Sequence, residues 1–236
     1  MANDHDERAT NFHPEFLRPV EYVCEPDPRS LSFVKMDPCT GEFVPLTIQD
    51  YHQAVSQFTL NAKVPEEIVH QFETAKNLYL YAWFVYRFYP VCEHHALACL
   101  ELALRKRYEH EATNEYRGGD GKLYLKGSLH YAIGHGYVRH EGFKRWHEAA
   151  RRRARHRYEM EKLKEMRKKG LNSIGLDDSE VEVTDADRNW EFLNVLLDNL
   201  PHLRNLYAHG TSNLDNQVLG TIQVVSEIIN QIYHAE

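Results

Sequence analysis

The sequence predicts an all-α protein: a four-helix bundle with a small β-hairpin at its front and a charged helical insertion between two pairs of helices. Three observations predict it. Apolar residues recur every three or four positions in four separate stretches, the period of a helix with one buried face. The stretches fall in two consecutive pairs, one between residues 66 and 108 and one between 186 and 232, with a strongly charged segment separating the pairs. Only the region around residues 31–46 has the short β-type runs and turn residues of a hairpin. Amphipathic helices hide their apolar stripes by packing on one another, which makes a bundle the expected arrangement.

Residues 1–60 read as an N-terminal extension. The first ten, MANDHDERAT, are expected to be disordered, and Pro14, Pro19, Pro26 and Pro28 argue against a long helix in the next stretch. SLSFVKMDPCTGEFVPL sets two short strands around Asp37, Pro38, Cys39, Thr40 and Gly41, and TIQDYHQAVSQFTL suits a short helix. Residues 61–236 read as the helical domain. Val64-Pro65-Glu66-Glu67 marks a helix start, with proline and acids where a first turn favours them. Ile68, Phe72, Ala75, Tyr79, Ala82, Tyr86 and Tyr89 then continue one stripe, so a single helix is expected as far as Pro90. Leu97, Leu100, Leu104 and Tyr108 mark the second helix. RGGDGK from Arg117 is a turn, and LYLKGSLHYAIGHGYV gives a short helix ending near residues 134–136.

Residues 139–185 read as the insertion: a basic helix stopped by Gly170, then the acidic linker LNSIGLDDSEVEVTD. Trp190, Leu193, Leu196, Leu197 and Leu200 resume the helical period, and Pro201 is expected to bend or restart that helix. Leu214, Val218, Ile222, Val225, Ile229 and Ile232 form the last stripe, with Ser212 or Asn213 as cap. There is no internal repeat, Gly-rich phosphate loop or heptad array.

A chain of 236 residues with 42% hydrophobic content is large enough for a real core. Its formal charge of −7 argues against a general nucleic-acid binder, yet residues 139–169 hold thirteen Lys or Arg against five Glu. Arg151, Arg152, Arg153, Arg155 and Arg157 could follow an RNA backbone, with Trp146 and Tyr158 as stacking faces. The other reading is a solvated helix in which Glu148, Glu159, Glu161 and Glu165 pair at i,i+4. Cys24, Cys39, Cys92 and Cys99 form no C-x-x-C pair, so neither disulfides nor zinc is expected. The N-terminus has no apolar signal core, and the longest apolar run, LYLYAWFVY, is too short for a bilayer; a cytoplasmic protein with no membrane partner is expected. His130, His135 and His140 are spaced five apart, which scatters them around a helix, and adjacent His94 and His95 cannot face one ion, so no metal is expected. For Glu93 and Glu101 the simpler expectation is an exposed salt bridge, the alternative an approach to the bundle interior. The Tyr and Phe density at 79–89 reads as core or dimer surface rather than a cofactor box.

The chemistry concentrates in LPHLRNLYAHG, residues 200–210, where Arg204, Asn205 and His209 crowd the end of an apolar helix. Asn205 and His209 share a face, whereas Arg204 and His209 point about 140° apart on a regular helix. Either Gly210 ends the helix so that His209 leans off the last turn, or a second copy of the helix supplies its own Arg and His across a symmetric interface. The residues also admit a purely structural account, in which Arg204 salt-bridges a neighbouring Asp, Asn205 caps locally and His209 sits at the negative end of the helix dipole.

RNLYAHG matches the R-N-x-x-x-H form of the motif that closes the third core helix of HEPN-domain proteins, with an amphipathic helix directly after it. ALACLELALRKRY and the L-x-x-x-L-x-x-A-x-x-x-G cadence of LYLKGSLHYAIGHGYV also resemble that family, over most of residues 65–235 outside the basic insertion. The resemblance implies a four-helix domain, commonly a homodimer, whose active members are endoribonucleases needing no metal or other cofactor. It implies Arg204 for phosphate stabilisation, His209 for proton transfer and Asn205 for positioning, in a groove where two motif helices meet. RNA is the implied substrate, with a defence or toxin–antitoxin role and an antitoxin or other regulatory protein as possible partner. The alternative it leaves open is a non-catalytic module binding RNA, a nucleotide or a protein. A toxin subgroup carries a modifiable Tyr two positions after the motif His; here that position is Thr211.

Overall fold

The computed structural model describes residues 12–210 and 214–234. The expectation of disorder for residues 1–10 therefore lies outside the described residues. Among those described, the chain is mostly helical, with seven α-helices and one two-stranded antiparallel sheet, β1 Val34–Met36 and β2 Phe43–Pro45. The all-α class holds at that level. No helix is long and apolar enough to cross a membrane.

The chain divides into two compact units, residues 1–107 with 202–236, and residues 108–201. The first contains the hairpin and helices α1 Ile48–Ser56, α2 Glu66–Tyr81, α3 Phe88–Tyr108 (except its last residue), the end of α6 Phe192–Ala208, and α7 Val218–Ile232. The hairpin pairs Val34 with Pro45 and Met36 with Phe43 around the expected turn, where Gly41 adopts φ +73°. Helix α1 opens on a capping box, in which Thr47 Oγ1 accepts from the Asp50 N–H and the Asp50 carboxylate from the Thr47 N–H. Its Tyr51 hydroxyl accepts from Tyr89 at 2.8 Å.

Helices α2 and α3 run antiparallel: the Cys92 thiol donates to the Ala75 carbonyl and the Cys99 thiol to that of Ile68. Burial pushes both thiols up, Cys99 to about 12, so neither is a thiolate at neutral pH. Ile68, Phe72, Leu97, Leu100, Leu104, Val225, Ile228 and Ile229 are wholly buried and form the centre of this unit. Asn230 of α7 ties its carboxamide to the Asn61 N–H at 2.8 Å and the Thr59 carbonyl at 2.9 Å. Tyr79, Trp83, Tyr86 and Tyr89 are buried, which makes the aromatic run core.

The break in the first helical pair is not at Pro90. Helix α2 stops at Tyr81 and α3 starts at Phe88, so Pro90 sits in the first turn of α3, where an N–H would have no intrahelical acceptor. What interrupts the helix is Asp27. Its N–H donates to the Trp83 carbonyl at 2.9 Å and its carboxylate accepts from the Tyr86 N–H at 3.2 Å. The Asp27 side chain is fully buried and held at both oxygens by Arg29, 2.9 Å each, whose guanidinium also lies 4.7 Å from the Tyr86 ring centre. Burial alone would raise this carboxyl; Arg29, with the N–H groups of Arg29 and Tyr86, holds it below the usual range instead.

The second unit contains α4 Leu125–Gly134, α5 Lys144–Lys169 and the start of α6. Its core joins Leu123, Leu129, Phe143, Ala154 and Phe192, with the Phe143 and Phe192 rings edge-on at 5.1 Å. Gly127 allows α4 to pass against the Tyr116 carbonyl, 1.8 Å from where a Cβ would stand. Gly170, at φ +63°, closes α5 as expected, its N–H and that of Leu171 returning to the Arg167 and Met166 carbonyls. Pro201 does not restart a separate helix: α6 is continuous from Phe192 to Ala208 with Pro201 inside it. Helix α7 begins at Val218, after Leu214; the proposed caps Ser212 and Asn213 lie outside the described residues.

Candidate functional site

The motif occupies the last turns of α6, within the first unit. Arg204 and Tyr207 are one turn apart and both reach α3, which runs antiparallel to this segment. Arg204 Nε donates to Glu101 Oε2 at 2.9 Å, and the Tyr207 hydroxyl donates to Glu93 Oε2 at 2.5 Å. Thr221 of α7 completes the set, its hydroxyl donating to Glu93 Oε1 at 2.5 Å. Glu93 and Glu101 are therefore not on exposed salt bridges. They are 7% and 8% exposed, each answered by a motif-helix side chain. Burial, and then the Glu93 carboxylate, push the Tyr207 phenol well above its usual range, so it stays a hydrogen-bond donor at neutral pH.

Arg204 meets its acid through one edge only. Among the described residues its two terminal nitrogens have no protein partner, and the side chain is about one-third exposed. Asn205 and His209 are exposed. The His209 N–H returns to the Asn205 carbonyl, and Gly210, at φ +84°, ends the helix immediately after it. One chain thus fixes Arg204 on the α3 side and leaves Asn205 and His209 facing outward. Thr211 lies outside the described residues.

Beside the motif lies a cleft of about 300 Å³ lined by Arg87, Pro90, Val91, His94, Tyr207 and Gly210. His94 is held below the ordinary imidazole range by burial first and then by the charge of Arg204, with Glu101 opposing. The sequence offered His94 only as a rejected metal ligand, and for Glu93 and Glu101 it is the second expectation, an approach to the bundle interior, that holds rather than the exposed salt bridge. The available signal was the stripe 93–97–101, which sets two carboxylates one turn either side of the buried Leu97.

The basic helix belongs to the second unit, and the acidic linker folds back onto it. Arg155 pairs with Glu159 at 3.0 Å and Asp178 at 3.2 Å, Arg157 with Asp187 at 2.9 Å, and Lys162 with Glu180 at 2.8 Å. Arg153 donates to the Asp187 carbonyl at 3.0 Å. Arg157, then the Thr184 N–H and hydroxyl, hold the Asp187 carboxyl well below the usual range. Among the described residues Arg151 and Arg152 have no acid within ion-pair distance and remain exposed. Trp146 and Tyr158 are not stacking faces. They are 7% and 8% exposed, with Trp146 Nε1 directed to the Trp190 carbonyl and the Tyr158 hydroxyl to Glu180.

Among the described residues no three His, Cys, Asp or Glu side chains gather as a metal-binding group. His135 packs on Tyr131 and His140 on Trp146, in aromatic clusters. Comparisons with protein-family models, curated proteins and solved structures find no match to this chain.

Proposed function

We propose that this chain is a metal-independent endoribonuclease of HEPN type, acting in the cytoplasm as a homodimer in a defence or toxin role under the restraint of an antitoxin or other regulatory protein. The observation that carries the reading is the state of Arg204: Glu101 takes its Nε and orients the fork, while both terminal nitrogens remain for a ligand. A guanidinium presented in this way is matched to two phosphate oxygens.

Cleaving RNA without a metal requires removal of the 2′-hydroxyl proton, stabilisation of charge on the phosphorane oxygens and protonation of the departing 5′-oxygen. His209 transfers protons, a role suited to imidazole near neutral pH. Arg204 stabilises the phosphate, and Asn205, on the same face as His209, positions the substrate. Two motif helices related by a dyad supply base, acid and two cations. In this reading Glu101 and Glu93 are positioning residues, acting through Arg204 and Tyr207.

A second reading, a non-catalytic module that binds RNA, a nucleotide or a protein, draws on the tie of Arg204 and Tyr207 to buried acids, which also suits a purely structural helix end. The test is incubation with total RNA in EDTA, alongside Arg204→Ala and His209→Ala. The nuclease reading requires cleavage that survives chelation and is lost in both variants. Intact RNA with all three proteins, bound less well by the variants, selects the module.

A further inference from the structure

The cleft beside the motif helix has a composition of its own. At about 300 Å³ it has room for one planar ring system. Pro90 and Val91 on the first turn of α3 give one apolar wall. The Tyr207 ring is another lining group, and its hydroxyl is already committed to Glu93, so the ring is held in place. A fixed aromatic face with an aliphatic wall is a stacking platform for a flat heterocycle.

His94 adds the polar element. It is half-buried, lines the cleft, and among the described residues neither ring nitrogen has a protein hydrogen-bond partner. A neutral imidazole offers one donor and one acceptor, the minimum needed to read a base edge. Arg87 adds positive charge at the cleft while bonded to Glu15. Tyr207 is one helical turn from Arg204, so a group in this cleft adjoins whatever phosphate Arg204 holds.

We propose that this cleft is a nucleobase subsite of the RNA site: it takes the base of a nucleotide next to the phosphate bound by Arg204, with Tyr207 stacking and His94 reading the base edge. The proposal rests on the ribonuclease reading for the identity of the ligand, and it makes His94 a specificity-determining residue. Base preference, on this account, is built into a single chain.

The experiment measures binding of four fully 2′-O-methylated, uncleavable RNA tetranucleotides, each of one base, by fluorescence anisotropy in EDTA. The probes go to wild type, His94→Ala and Tyr207→Leu, with thermal melts to establish folding. Wild type should prefer one base, and Tyr207→Leu should weaken that probe by roughly 5- to 150-fold, the range for losing one stacked base. His94→Ala should bring the four affinities together while keeping the salt dependence. Equal affinity for all four bases in wild type overturns the proposal, as does a preference that survives in a folded His94→Ala. Selective, His94-dependent binding by a protein that leaves RNA uncut upholds the subsite and refutes only the nuclease. Cleavage of total RNA in EDTA with an unchanged cutting pattern in His94→Ala does the reverse.

Discussion

Replacing Asp27 with Ala isolates the contact that shapes the approach to the site. The carboxylate is fully buried and accepts four hydrogen bonds: two from the Arg29 guanidinium at 2.9 Å, one from the Arg29 N–H at 3.1 Å and one from the Tyr86 N–H at 3.2 Å. Removing one partner of a buried ion pair typically costs about 3–5 kcal/mol, because the other charge is left uncompensated. The Arg29 side chain is 30% exposed and keeps Glu15 at 2.5 Å, which puts the loss at the low end. That figure, about 3 kcal/mol in all, includes the orphaned Tyr86 N–H. For a chain of this size that corresponds to a fall in Tm of about 6–12 °C by circular dichroism. Asp27→Asn keeps an acceptor and should fall between Ala and wild type. Hydrogen exchange at the Tyr86 amide should accelerate in the Ala variant before any global change. A Tm within about 2 °C of wild type, with unchanged exchange at Tyr86, would refute the claim that Asp27 fixes the break between α2 and α3.

Glu93→Ala strips the acceptor from two hydroxyls at once and should cost about 2–3 kcal/mol in urea unfolding, whereas Glu93→Gln, which retains one acceptor, should cost about half that. Charge reversal at Arg151 and Arg152, which have no ionic partner among the described residues, should weaken RNA binding and lower the salt slope by roughly two, if α5 carries RNA. Reversal at Arg157 should instead destabilise the protein, since it sets a carboxylate against Asp187; the measurement is RNA titration at several salt concentrations beside thermal melts. His94 binds its proton less readily folded than unfolded, so stability should be unaffected above the ordinary imidazole value of about 6.5 and fall as pH drops below it. His94→Gln should remove that part of the pH slope; a slope identical to wild type between pH 7 and 5 would contradict the placement of His94 beside Arg204.

Local periodicity made most of the helices legible, because α2, α3, α6 and α7 each repeat at 3.6 residues, and Pro65 and Gly170 mark the start of α2 and the stop of α5. The misplaced boundaries come from forces that periodicity does not encode. Pro90 is harmless in a first turn and Pro201 is absorbed within α6, while the real break at residues 82–87 is imposed by Asp27, more than fifty residues earlier. The site divides the same way. Arg204, Asn205, Tyr207 and His209 stand together in six residues of sequence, but the acids that hold Arg204 and Tyr207 do not: Glu101 and Glu93 lie 103 and 114 residues away. The basic helix was visible as charge, whereas the pairing of Arg155, Arg157 and Lys162 with Asp178, Asp187 and Glu180 depends on the following segment folding back, which net charge cannot register. Trp146 and Tyr158 show the matching limit for aromatic residues, since interleaving with arginines marks a stacking face and a buried anchor alike.

The chemistry of the RNA ends tests the central claim most directly. With a defined RNA in EDTA, attack by the 2′-hydroxyl under His209 and Arg204 must leave a 2′,3′-cyclic phosphate and a 5′-hydroxyl, and 2′-O-methylation at the cut must block the reaction. Products bearing 3′-hydroxyl and 5′-phosphate ends, or cleavage that appears only when divalent metal is restored, would contradict it.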